Sequence, residues 1–344
     1  MIIYVNVLFQ TINTLIQASH QGNKTLFDSS LSLAIGYVVI VLILSVLGVF
    51  GNMFIIYVMR KEKRINKDAR AFTINVAVAD LCVSGIADPM CIAGAFLGTD
   101  YLHGEFWLCI AVASMCLTAC ICVFLNVACL TVNRWLFICH DKVYDRIYNY
   151  TTTTTFCILT WVVAICAELP NFFGLGGHFF DEKAHQCIWD RTASRVYTMF
   201  VSLGLITTPL ILLAYCNTAI LIKIWKVKGN VSSGLNSTLR TTVSTAKILI
   251  TMFAVFLICW TPYVIVLVLD IEDSFSMDVY LFTTLLAHSH SSSSCLIYLI
   301  YKKKFRDHLK GIFKSGNRIH PVVSTQTQTR NCTNRVVITD TSRL

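Results

Sequence analysis

Residues 107–139 read WLCIAVASMCLTACICVFLNVACLTVNRWLFIC. The run holds one formal charge, Arg134, and no Asp or Glu. A bilayer core is about 30 Å thick and takes about 20 apolar residues of α-helix. The stretch therefore reads as a membrane-spanning helix, long enough to tilt or to extend past the lipid.

Six more stretches pass the same test: 32–59, 71–97, 154–174, 196–226, 243–270 and 279–301. Helices are expected because lipid cannot satisfy the open edges of strands. The predicted fold is all-α, a seven-transmembrane helix bundle over residues 32–301. Composition agrees: the chain is 55% hydrophobic and 14% charged, against about 25% charged residues in soluble domains. No internal repeat is visible.

The connections separate by charge. Arg60, Lys61, Lys63, Arg64, Lys67 and Arg70 follow the first span, Lys226, Lys228 and Arg240 the fifth, and Lys302, Lys303, Lys304, Arg306, Lys310 and Lys314 the last. The alternate connections carry Asp100, Glu105, Asp181, Glu182, Glu272, Asp273 and Asp278. Basic loops stay cytosolic, which predicts a multi-pass plasma-membrane protein with its N-terminus outside and its C-terminus inside. The net charge of +9 is then a cytosolic-face charge facing membrane lipids, and no nucleic-acid partner is expected.

Residues 1–31 read as a short extracellular tail, because the apolar start lacks the basic segment of a signal peptide. Asn23 heads a glycosylation sequon in that tail. Residues 302–314 place Phe305, Leu309, Ile312 and Phe313 among basic residues, the pattern of an amphipathic juxtamembrane helix on the inner leaflet. Residues 315–344 are polar and read as a disordered cytosolic tail. Its Ser and Thr could take phosphate and so bind a regulatory partner such as arrestin. No metal-ligand spacing is seen among the 15 Cys.

Particular residues inside the spans carry a resemblance. Gly51-Asn52 lies in the first span and NVAVADL (75–81) in the second. Cys109 opens the third, and Asn133-Arg134-Trp135 closes it. Trp161, Pro209, CWTP (259–262) and Tyr298 follow in the fourth to seventh. This order resembles the rhodopsin-like family of G-protein-coupled receptors. Within it, ICHDKVYDRIY (138–148) and LPN (169–171) resemble the melatonin receptors and their relatives.

The resemblance implies roles. Cys109 and Cys187 would form an outer disulfide. Asn133, Arg134, Trp260, Pro262 and Tyr298 would be the activation switch, with Arg134 reaching a heterotrimeric G protein, of inhibitory type by resemblance. Asn133 replaces the usual Asp, and span five offers Asn217, with Tyr215 nearby, where a Tyr usually helps. Weak inactive restraint and basal activity are therefore expected. Asp80 would hold a sodium ion or belong to a polar network with His290, Ser291 and Ser294; both readings stand, since Val123 and SCLIY (294–298) depart from the family pattern.

A small-molecule or peptide ligand would lie around Met115, Cys116, Asn171, Arg191, Trp260 and His288. Cys116 stands where amine receptors carry Asp, and His288 where opsins carry Lys, which excludes both chemistries. Of three melatonin anchors only Asn171 is kept; Arg191 and Leu205 replace the others. Arg191, His178 and His185 also suit an acidic ligand. The Ser-rich run 288–294 reads as the lining of a wet cavity. No phosphate loop or catalytic cluster supports an enzyme. The competing expectation is a receptor-fold binding or scavenging protein with weak or no G-protein coupling.

Overall fold

The structure is a computed structural model describing residues 25–62, 66–104, 106–230 and 237–316, with the side chains of 99–104, 227–230, 237–242 and 313–316 left aside. The Asn23 sequon and the tail beyond 316 lie outside what is described.

Among the described residues, six helices are long and apolar enough to cross a membrane: Leu31–Lys61, Lys67–Gly98, Phe106–Cys139, Tyr150–Phe172, Arg195–Lys226 and Val243–Leu269. The seventh span is broken into Met277–His288 and His290–Tyr301, each of 12 residues and too short alone. They meet at Ser289 without a proline. Chains of side-chain hydroxyls account for the break. Ser289, Ser291, Ser292 and Ser293 each donate to the carbonyl three residues back, which satisfies groups freed by the kink. Four serines of the run thus serve their own backbone, while Ser294 donates to Asp80 and His288 lies on a cavity wall.

Span two is interrupted by a π-helical segment at Val83–Ala87, and span five by one at Phe200–Thr207. In span five Pro209 follows, and Thr207 and Thr208 donate to the carbonyls of Ser202 and Leu203. Such bulges re-aim the side chains beyond them.

At the acidic end, β1 (His178–Asp181) pairs antiparallel with β2 (Gln186–Trp189), Phe180 opposite Cys187. The Cys109–Cys187 disulfide ties this hairpin to the head of span three. Gly94 lets it settle on span two: a Cβ there would stand 2.3 Å from the His185 carbonyl oxygen. His185 itself sits at φ 48°, in the left-handed region.

At the basic end, a loop helix Asp141–Ile147 is anchored by Tyr144, whose hydroxyl donates to Asp68 at 2.6 Å. Thr153 reaches the same carboxylate at 2.8 Å. The helix Lys303–Gly316 buries Phe305, stacked on Tyr298 at 4.9 Å, and exposes Ile312.

Candidate functional site

Three polar sites are stacked along the bundle. The outermost is a small cavity of ≈ 40 Å³ whose wall includes Cys116, Phe124, Gln186, Trp260, Tyr263 and His288. His288 Nδ1 lies 2.8 Å from Asp88 Oδ1 and its Nε2 lies 3.7 Å from Cys116 Sγ. Trp260 packs edge-on against Phe124 at 4.8 Å and tilted on His290 at 5.3 Å. Pro262 lies inside the same helix, two residues beyond that ring, where it removes one backbone hydrogen bond.

Three residues expected around a ligand lie off this cavity. Met115 is not on its wall. Asn171 is buried and donates to Glu168 at 3.0 Å and to the Tyr197 hydroxyl at 2.9 Å. His178 joins this cluster, 2.6 Å from Glu168 and 2.9 Å from Ser114. A buried carboxylate must gather donors, so Glu168 captures both side chains. His185 is buried against span two.

Arg191 is turned into a latch over the cavity. It pairs with Asp181 of β1 and, at 2.8 Å, with Asp273 of the loop between spans six and seven. Its guanidinium lies 3.9 Å from the centre of the Tyr280 ring. Lys183 bonds the same loop at the Asp273 carbonyl. Burial pushes the Asp181 carboxyl up, against the pull of Arg191 and the N–H groups of Lys183 and Ala184. Burial acts to discharge Arg191, yet the carboxylate beside it wins and its pKa is raised. The two shifts pull opposite ways; the charged pair is the consistent state, because the carboxylate also accepts two backbone hydrogen bonds. Nη1 and Nη2 of Arg191 are thus engaged by these carboxylates, while its Nε has no hydrogen-bond partner among the described residues.

The middle site centres on Asp80, which is wholly buried. Ser294 donates to its Oδ2 at 3.2 Å, and His290 Nε2 lies 3.6 Å from Oδ1. Ser291 does not join them; its hydroxyl goes to His288 O. Hard cations such as sodium seek several oxygen ligands. Among the described residues, the side chains that meet the Asp80 carboxylate offer one hydroxyl and one ring nitrogen. The set does not fit the ion.

The innermost site is a cavity of ≈ 530 Å³ at the basic end, with Arg134, Ile138, Leu249, Tyr298 and Lys302 on its wall. Arg134 is buried, and its Nε and Nη2 have no hydrogen-bond partner among the described residues. Both polar atoms of Asn133 are equally unpartnered, as are those of Asn217. Tyr215 is exposed and packs edge-on to Trp135 at 5.8 Å, so it is turned away from Arg134. The Tyr298 hydroxyl bonds Thr73 at 3.1 Å.

Sequence reasoning missed Asp68, Asp88, Glu168 and Tyr263. A carboxylate in an apolar helix is a visible signal for Asp88 and Glu168; nothing in the sequence marked Tyr263.

The family model for the seven-transmembrane receptors of the rhodopsin family matches residues 51–298. Melatonin receptor type 1C of Gallus gallus is 26% identical over 288 residues, covering 81% of this chain and 82% of that protein. Melatonin receptor type 1B-B of Danio rerio is 27% identical over 311 residues, covering 88% of each. In fold, squid rhodopsin superposes with a TM-score of 0.68 at 17% identity, covering 83% of this chain and 86% of that one. With its helical bundle, outer disulfide and buried Arg134 in place, the chain belongs to the rhodopsin family of G-protein-coupled receptors, membrane receptors rather than enzymes, and resembles the melatonin-receptor branch.

Proposed function

We propose that a small, mostly apolar ligand in the outer cavity shifts the bundle toward a state in which Arg134 contacts a cytosolic G protein of inhibitory type, and that this shift is partly made without ligand. The basic end faces the cytosol in this reading, by its charge. The observation that carries it is the buried Arg134 on the wall of a ≈ 530 Å³ inner cavity, its Nε and Nη2 without a hydrogen-bond partner among the described residues. A buried cation without acceptors is costly, so an incoming acceptor-rich peptide end finds it unopposed. Trp260 on the outer cavity wall and Leu249 on the inner one share a helix, and Pro262 lets that helix bend and transmit the change. The inner helix rests on lipid through Ile312, and tail phosphates would recruit arrestin.

A melatonin-like ligand is the second reading, favoured by the names of the relatives. It requires Asn171 to leave Glu168 and Tyr197.

The test is ligand-free GTP exchange on inhibitory G protein in membranes. Exchange above an empty-vector control, lost in Arg134→Ala, is expected. Equal exchange at matched surface expression would leave the non-coupling binding protein as the better reading.

A further inference from the structure

We propose that Cys116 is a covalent capture site for short α,β-unsaturated carbonyl compounds, with His288 as its base and Asp88 orienting that base. Its effect on signalling rests on the receptor reading above; the capture chemistry does not.

The geometry is that of an activated thiol. His288 Nδ1 lies 2.8 Å from Asp88 Oδ1, and Asp88 is buried. A carboxylate there fixes the ring tautomer: Nδ1–H donates, and Nε2 is left as the base. That Nε2 faces Cys116 Sγ at 3.7 Å. A nucleophile, a base and a third group that orients the base are thus aligned across spans three, seven and two. The thiolate is the reactive form of cysteine, so a base at this position sets its reactivity.

A second observation points to the ligand. Trp260 and Tyr263 line the same cavity, and Nε1 of the one and Oη of the other have no hydrogen-bond partner among the described residues, although each residue is only 5% exposed. Leaving a buried donor unmade costs about 1–3 kcal/mol. Both are donors, so both ask for an acceptor oxygen. Much of the remaining wall is hydrocarbon, including Ile121, Phe124, Val201 and Ile206. The cavity is small, ≈ 40 Å³, which favours a short ligand. An apolar chain of about four non-hydrogen atoms carrying one carbonyl oxygen meets those limits.

The step balances without an oxidant or reductant. The Cys116 thiol gives its proton to His288 Nε2. The sulfur forms a bond to the β-carbon, and the carbon–carbon π pair moves to give an enolate. Trp260 N–H and Tyr263 O–H donate to the enolate oxygen. His288 returns the proton to the α-carbon, leaving a thioether and no leaving group.

The test treats the full-length receptor in membranes with acrolein and follows adducts on each cysteine by peptide mass spectrometry. Cys166, an exposed free thiol in span four, is the internal reference. Cys116 is expected to react at least about tenfold faster than Cys166. His288→Gln and Tyr263→Phe should each bring it toward the Cys166 rate. Equal rates in the unaltered receptor overturn the proposal, and need no variant to fold. A His288→Gln protein that reaches the surface and still labels at the unaltered rate overturns it too. GTP exchange on the same membranes reads the receptor function separately, so either reading can fail alone.

Discussion

Asp80 and His290 face each other inside the bundle with Oδ1 of the carboxyl 3.6 Å from Nε2 of the ring. His290 Nδ1 lies 2.6 Å from the Ala287 carbonyl oxygen and so must donate to it. In a neutral ring Nε2 then carries only a lone pair, aimed at a carboxyl oxygen with no other donor. Two lone pairs opposed at this distance favour a proton on one of them. Asp80→Asn keeps a donor for Nε2 and should preserve thermal stability. His290→Phe strands the carboxyl and should cost about 1–3 kcal/mol, read as a lower unfolding temperature of purified receptor. Replacing sodium by N-methylglucamine should leave ligand-free GTP exchange unchanged. A sodium-dependent shift that vanishes in Asp80→Asn would show that the site takes the ion after all.

Asn133 precedes Arg134 with both side-chain polar atoms unpartnered. A carboxylate there would give the guanidinium a local partner. Asn133→Asp should therefore stabilise the resting arrangement by about 1 kcal/mol and lower basal GTP exchange about fivefold. Unchanged or raised exchange at equal surface expression would mean that Arg134 is restrained by something else.

The Arg191 latch joins the hairpin to the last outer loop through Asp181 and Asp273. Removing one member of a buried ion pair costs about 3–5 kcal/mol, because the other charge is left uncompensated. Arg191→Gln should destabilise strongly. Adding Asp181→Asn should recover part of the loss, because the stranded carboxylate is gone. Additive losses in the double variant, measured by thermal unfolding, would deny the coupling.

Asp270 caps the end of span six. It is partly buried, which acts to raise its pKa, but N–H groups of Phe275 and Ser274 and the hydroxyls of Tyr280 and Ser274 win and hold it to about 2. A depressed carboxyl contributes stability above its unfolded value near 3.8, and loses it as pH falls toward about 2. Asp270→Asn should remove that acid dependence and lower stability at neutral pH by about 1 kcal/mol or more. An unaltered acid limb in Asp270→Asn would reject the assignment.

Gly94 meets the His185 carbonyl so closely that a Cβ has no room. Gly94→Ala should push the hairpin off span two and slow formation of the Cys109–Cys187 bond, read by surface expression under mild reductant. Normal expression and disulfide content would show that the hairpin seats elsewhere.

Much of the architecture was legible because lipid imposes one rule on every span. Length, apolarity and loop charge located the helices to within a few residues, and Cys109 with Cys187 followed from the family order. The site was only partly legible. Cys116, Trp260 and His288 do share a cavity wall, but Asn171 and Arg191 were assigned to a ligand on sequence position alone. Buried carboxylates decide their fates: Glu168 captures Asn171, and Asp181 and Asp273 capture Arg191. Which donor meets which acceptor depends on distances between segments far apart in the chain.

By itself the sequence determined what the bilayer demands of a chain: seven apolar helices, their caps of charge, and one arginine left at the end of an acid-free span. Only the tertiary structure decided the pairing of buried charges, the break of span seven at Ser289 and the meeting of Cys116 with His288 and Asp88. The physical reason is range. Hydrophobicity acts residue by residue and survives in a linear pattern, whereas a buried polar group is settled by whichever partner packing brings within about 3 Å.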